Sequence, residues 1–334
     1  MILVTGGTGL LGSNLLFRLC QTEEKLVATY RSNEKREQVK KLFQSLDEKR
    51  GGDLFKKIIW RKCDILDMLA LEEAMRGCKT VYHCAALVSY RIRDFSKMMK
   101  VNGLGTANVV NMALEQGIKR FCHVSSTSAV GKIKDSYIYK VSESNKWTQD
   151  KRTNGYAISK YTAEKEVWRG AQEGLSVVII NPSVIFGPGN WSESSLTIFG
   201  AVSNGLKFYT KGSNAFVDVR DVVRTMIHLM NSSVSGQRYL CTGTNCTFKN
   251  LFQLIAQELK QKEPKILAGR LACEMAWRLD SLKAIFTGKQ TLTKESVQSS
   301  QSSVVYDSSK LMEFFPFEYI TLKETIAYTA KYKM

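Results

Sequence analysis

Tyrosine and lysine four residues apart recur in this chain: Tyr-x-x-x-Lys begins at Tyr156, Tyr161, Tyr306 and Tyr319. On a helix, residues at this spacing share a face. An ammonium beside a phenol favours the phenolate and lowers a pKa of about 10 in the free side chain. That is the chemistry of a general acid and base. The same spacing also arises as surface decoration, so at most one of the four is expected to be catalytic. Tyr156, in NGYAISKYTAEKE, has the fuller form Tyr-x-x-Ser-Lys, with Ser159 before Lys160. It follows by one loop a strand-like run, KRFCHVSS, that ends in Ser125 and Ser126. Serines at a strand end also make turns. Tyr161 shares the Tyr156 helix but faces away, and Tyr306 and Tyr319 lie far along the chain with no comparable lead-in.

A second chemical signal opens the chain. MILVTGGTGLLGSNLLFRLC reads as a buried strand, a glycine turn and a helix with Leu11, Leu15, Leu16 and Leu19 on one side. Such a turn points backbone N–H groups and the positive end of the helix dipole at an anion. Gly6 would permit the tight turn, Gly9 the approach of a pyrophosphate, and Gly12 close packing of helix on strand. A glycine-rich loop without a ligand is the plainer alternative, but the placement between strand and helix favours a dinucleotide cradle built from Thr5, Gly6, Gly9, Leu10, Leu11 and Gly12. The second strand, KLVATYR, has no acid to take the ribose hydroxyls of NAD and ends at Arg31, a partner for the 2′-phosphate of NADP. NADP is therefore expected, with NAD as the alternative.

The spacing Thr5-Gly6-x-x-Gly9-x-x-Gly12 resembles the short-chain dehydrogenase/reductase superfamily, in its extended branch of epimerases, dehydratases, dihydroflavonol reductases and 3-beta-hydroxysteroid dehydrogenases. The resemblance spans nearly the whole chain. It implies that Ser126 is the catalytic serine beside Tyr156 and Lys160, that Asp64 with Ile65 contacts the adenine, and that Ala85 and Ala86 let the cofactor lie close. It also implies a site role for Asn102 in VNGLGTANVV, where bonding to nearby backbone is the structural alternative. NPSVIFGPGNW resembles the family's exit to the substrate side, making Pro182, Ser183 and Val184 candidates for the nicotinamide pocket. Within the family, an oxidoreductase interconverting a carbonyl and an alcohol is expected, closest to the dihydroflavonol reductase and steroid dehydrogenase branch. A nucleotide-sugar epimerase or dehydratase with tightly held NAD(P) is the alternative. Epimerases commonly grip the diphosphate with an Arg-Asp pair where this chain has Asn214 and Ala215. A non-catalytic NADP-binding regulator is a lesser alternative, since such members generally lose the tyrosine or lysine. Relatives pair through helices corresponding to 95–116 and 155–172, so a homodimer is a further expectation.

Alternating strand and helix patterns must position these residues. Strand runs end at Asp64, in VYHCAA, in HVSS and in LSVVIINPS, and DFSKMMKVNGLGTANVVNMALEQG reads as one long helix. The alternation predicts an α/β fold, a Rossmann-type doubly wound parallel sheet with ligands beyond the strands' carboxyl ends. The dinucleotide-binding domain is expected over 1–185, rejoined by 216–245, with a smaller, mainly helical substrate-binding region over 186–334. Phe186, Trp191, Phe199 and Tyr209 would make the substrate pocket apolar if they line it, and are core otherwise. Specificity is expected in loops 87–95, 132–154 and 186–215. SVQSSQSS at 296–303 reads as an exposed loop.

Composition bounds the rest. The chain has 334 residues and 44% apolar content, with no run long enough to span a membrane. The first strand pattern begins at Ile2, and a cytoplasmic location is the expectation. Eight cysteines without Cys-x-x-Cys, and three scattered histidines, give no zinc pattern. The net charge of +17 is interleaved with acids, as in SNEKREQVKKLFQSLDEKR, which reads as solvated helix faces rather than a nucleic-acid surface. The expected partner is a small carbonyl or alcohol.

Overall fold

The computed structural model describes residues 1–22, 25–135, 138–150, 153–287 and 293–333. Residues 136, 137, 151 and 152 of the 132–154 loop, and 288–292 of FTGKQTLTKESVQ, lie outside the described residues.

Seven parallel strands form the central sheet: β1 (Ile2–Thr5), β2 (Leu26–Tyr30), β3 (Ile58–Lys62), β4 (Thr80–His83), β5 (Arg120–Val124), β6 (Val177–Pro182) and β7 (Gln237–Cys241). Their order is β7-β6-β5-β4-β1-β2-β3. The inner strands are short and largely apolar because both faces are covered, whereas the edge strands β3 and β7 carry exposed polar residues. The register sets Val4 of β1 opposite Ala28 on one side and Tyr82 on the other. β1 is therefore flanked by β2 and β4, the point where the winding reverses and a crevice opens at the carboxyl ends. One face packs Leu15, Leu16 and Leu19 of helix Leu10–Leu19 with Val222, Met226 and Leu229 of helix Val219–Asn231. The other packs Val109 and Val110 of helix Gly105–Glu115 with Val167 of helix Gly155–Gln172. Each fully buried aliphatic side chain contributes roughly 1.5–3 kcal/mol.

Three segments depart from expectation. The run from Asp94 to Gly117 is not one helix: Phe95–Met98 passes into a π-helical stretch at Met99–Leu104 before Gly105–Glu115. SVQSSQSS is not an exposed loop. Thr293 and Ser296 cap each other's backbone at the start of helix Lys294–Gln301, and Val297 is buried. Ser303 then opens strand Ser303–Tyr306, which pairs in parallel with Ile138–Val141. Phe186, Trp191 and Phe199 do not line a pocket. They pack on one another, with ring centroids of Phe186 and Phe199 at 5.1 Å and of Trp191 and Phe199 at 5.3 Å, in the core beneath a small sheet of Val184–Phe186, Ser213–Asp218 and Thr244–Thr247. Only Tyr209 of the four is half-exposed, with the Lys249 ammonium over its ring. Among the described residues, no helix is long and apolar enough to cross a membrane.

Candidate active site

The glycine turn joins β1 to helix Leu10–Leu19. Gly6 has φ +67°, and a Cβ there would lie 2.6 Å from the Ala85 nitrogen, so this position requires glycine. A Cβ on Gly12 would lie 2.2 Å from the Gly6 carbonyl oxygen. Gly9 differs: its Cβ would meet only the Gly6 oxygen, at 3.5 Å. The protein's own packing does not demand glycine at Gly9, but an anion approaching the helix would. Gly9 caps that helix without a side-chain hydrogen bond, and the first turn carries no acid, which leaves its N–H groups for a phosphate. Leu10 and Leu11 in that turn point into the two core clusters. Thr5 is buried, its hydroxyl bonded to His83 Nδ1 at 2.7 Å. The cradle fits a dinucleotide pyrophosphate.

Around it the structure gathers the other candidates. Ala85 follows β4 against Gly6, and Ala86 beside it is exposed. Arg31 and Asp64, just beyond β2 and β3, lie 3.7 Å apart as an exposed ion pair. Arg36 stacks over Tyr30, 5.0 Å from the ring centroid, and adds a second guanidinium near Arg31 that the sequence reading passed over. Ile65 is buried against Gly105. Pro182 ends β6, and Ser183 donates to the Thr242 carbonyl before Val184 starts the small sheet.

Helix Gly155–Gln172 is capped by Asn154, whose side chain accepts from the Ala157 N–H at 2.8 Å. It buries Tyr156 and Lys160 one turn apart. The Ser126 side chain lies by the Tyr156 hydroxyl, where it opposes the rise of the phenol, and accepts from the Ser128 N–H at 3.1 Å. The structure thus brings Ser126 and Tyr156 together. Lys160 turns elsewhere, its Nζ donating to the Val124 carbonyl at 2.7 Å. Burial pushes the Tyr156 phenol up, Tyr90 adds to the rise, and Ser126 opposes it. Lys160 is not among the groups that move the Tyr156 phenol, its ammonium being engaged with backbone. Burial pulls Lys160 down to about 8, and Glu164 is the first influence that opposes this.

Asn102 sits in the π-helical stretch, 1% exposed. Its amide donates to the Leu87 carbonyl at 2.9 Å and to Ser159 Oγ at 2.9 Å, while its oxygen accepts from the Leu87 N–H at 2.7 Å. These bonds tie the loop after β4 to the Tyr156 helix and spend its polar groups on protein. Tyr90 from that loop lies against Tyr156, ring centroids 5.9 Å apart. Tyr90 and Glu164 were both missed. Glu164 was visible as the next step in the series 156, 160, 164 on one helix face, whereas Tyr90 carried no local signal.

The profile of the NAD dependent epimerase/dehydratase family matches residues 2–241. "Sterol demethylase protein B" of Methylococcus capsulatus is 32% identical over 295 residues, covering 86% of this chain and 84% of that protein. Anthocyanidin reductase of Arabidopsis thaliana is 32% identical over 283 residues, covering 78% and 80%. Among solved structures, gox2253 superimposes with a TM-score of 0.79 over 99% of this chain and 97% of that one at 23% identity, a likeness of fold. With a match of that extent over a sheet whose glycine turn lies at the switch point, the chain belongs to the NAD-dependent epimerase/dehydratase family, the extended branch of the short-chain dehydrogenases and reductases.

Proposed function

We propose that the protein is an NADP-preferring reductase of a small carbonyl substrate, with Tyr156 as the proton donor, Ser126 polarising the substrate oxygen and Lys160 holding the nicotinamide ribose. The observation that carries this reading is the buried Tyr156, in the first turn of its helix, set beside the buried Ser126 just beyond the end of β5. A dinucleotide held in the glycine cradle would supply a hydride. As charge grows on the substrate oxygen, Ser126 and Tyr156 face it from the β5 end and the helix, and Tyr156 delivers its proton. Thr5, Gly6, Gly9, Leu10, Leu11 and Gly12 would cradle the pyrophosphate. Asp64, Ile65, Ala85, Ala86, Pro182 and Val184 would line the adenine and nicotinamide ends, and Asn102 would position rather than touch the reacting atoms.

The epimerase alternative is the less favoured. Asn214 spends its side-chain oxygen on the Ala215 N–H, and Ala215 is fully buried, so no bidentate grip on a diphosphate is available there. Relatives named as anthocyanidin and cinnamoyl-CoA reductases support a reductase, and the exposed Arg31 supports NADP.

Consumption of NADPH and NADH against a panel of ketones and aldehydes, with nucleotide sugars in parallel, tests this. NADPH oxidation with one carbonyl class is expected. Tyr156→Phe is expected to lower turnover by about two orders of magnitude or more while sparing NADPH binding. Arg31→Ala is expected to narrow the preference for NADPH over NADH. Conversion of a nucleotide sugar without net consumption, or full turnover by Tyr156→Phe, would overturn the reading.

A further inference from the structure

We infer that Glu164 is a positioning residue of this site, a buried side chain whose hydrogen bonds fix the strand end that carries Ser126 and which stands one helical turn from Lys160, close enough to act on it. The inference rests on the reading of Ser126, Tyr156 and Lys160 as the reacting set.

Glu164 is 1% exposed. Its Oε2 accepts from Ser125 Oγ at 2.7 Å and from Asn181 Nδ2 at 3.0 Å. Its Oε1 accepts from Trp168 Nε1 at 3.3 Å and from the Arg238 guanidinium at 3.1 Å. Four donors fill the four lone-pair directions of one carboxylate. They come from Ser125, beyond the end of β5, from β6, from β7 and from Glu164's own helix, so three neighbouring parts of the sheet are referenced to a single side chain. The second amide hydrogen of Asn181 goes to the Ser126 carbonyl at 2.9 Å. Ser126 is thus held twice, through its neighbour Ser125 and through Asn181.

Glu164 also lies one turn beyond Lys160 on the same helix face. The other titratable groups facing Lys160 are uncharged near neutrality. Burial holds His83 of β4 down to about 3 and His123 of β5 well below the ordinary histidine value. It pushes Cys84, beyond β4, up to about 12, and raises Tyr156. The influence that holds up Lys160 therefore comes first from Glu164, moderated by Arg238, which also donates to the Glu143 and Asn145 carbonyls. Arg238 is the ion-pair partner of Glu164 at 3.1 Å, which offsets the cost of burying the pair, and Lys160, one turn back on the helix, is the second cation within its reach.

The test is the titration of Lys160 in the cofactor-free protein, read by NMR of carbon-13-labelled lysine, with its signal assigned by its loss in Lys160→Met. In Glu164→Gln the midpoint is expected to fall by roughly one unit or more, and in Arg238→Met to rise. Glu164→Asp should restore it toward that of the unsubstituted protein. The alkaline limb of the turnover profile should move with the midpoint in each variant. If Glu164→Gln does not fold, the upward shift in Arg238→Met carries the test. A midpoint that stays fixed in every folded variant, with only the melting temperature lowered, would overturn the inference. Failure of the underlying reading looks different: Lys160→Met would then retain full turnover, whatever the lysine titration does.

Discussion

At Gly12 an added Cβ would press on the Gly6 carbonyl at 2.2 Å, whereas at Gly9 it would meet that same oxygen at an ordinary 3.5 Å. The two glycines therefore answer to different causes, one to the protein and one to the ligand. Gly12→Ala is expected to cost about 1–3 kcal/mol of stability by forcing helix from strand, seen as a lower melting temperature. Gly9→Ala should leave the melting temperature unchanged and weaken NADPH binding by about tenfold, ~1.4 kcal/mol, in a fluorescence titration. Tyr156 shows a comparable division. Its place beside Ser126 followed from a residue pattern and its sequence neighbours. The direction of its pKa did not, because burial and the orientation of Lys160 toward Val124 are properties of the packed interior.

Among the elements, the Tyr156 helix depends on its first turn, since Tyr156 is its second residue. Asn154→Ala removes the cap on Ala157 and is expected to cost about 1 kcal/mol, with turnover falling further than the melting shift implies because the first turn frays. Asn154→Asp, which restores an acceptor, should recover both. The alternation of strands and helices was legible because central strands buried on both faces read as unbroken apolar runs, as VVII does in β6. Two elements were not. The π-helical stretch around Asn102 has ordinary helical composition, and the bonds from Asn102 to Leu87 and Ser159 that accompany it are long-range contacts without a local signal. Helix Lys294–Gln301 reads as polar loop until Thr293 and Ser296 cap each other and Val297 finds a core. The aromatic set Phe186, Trp191 and Phe199 was ambiguous in sequence for a related reason: large rings serve a pocket and a core equally well, and only their mutual packing decides.

Across the whole molecule, a pair of buried histidines at the centre of the sheet links stability to acidity. His83 and His123 stack with ring centroids 5.3 Å apart, and neither ring nitrogen of His123 has a hydrogen-bond partner. Burial depresses His83 to about 3 and His123 in the same direction, against about 6.5 in an unfolded chain. Above about pH 6.5 both states are neutral and the histidines impose no penalty. As pH falls toward 3, the unfolded chain takes up protons that the folded one refuses, so stability is lost by up to about 1.4 kcal/mol per unit for each histidine. Urea unfolding at pH 7 and pH 5 should show this loss, and His123→Leu should flatten it.

The pairing of Ser303–Tyr306 with Ile138–Val141 has one more implication. The second of those strands lies between Ser126 and Tyr156 in the chain, while the first belongs to its last tenth. During synthesis the nucleotide sheet waits for β7, and the platform beside the reacting residues waits longer, until the segment through Tyr306 has left the ribosome. That strand pair is thus closed only after residues 303–306 have been made, well behind the glycine turn of residues 5–12 and the sheet through β7.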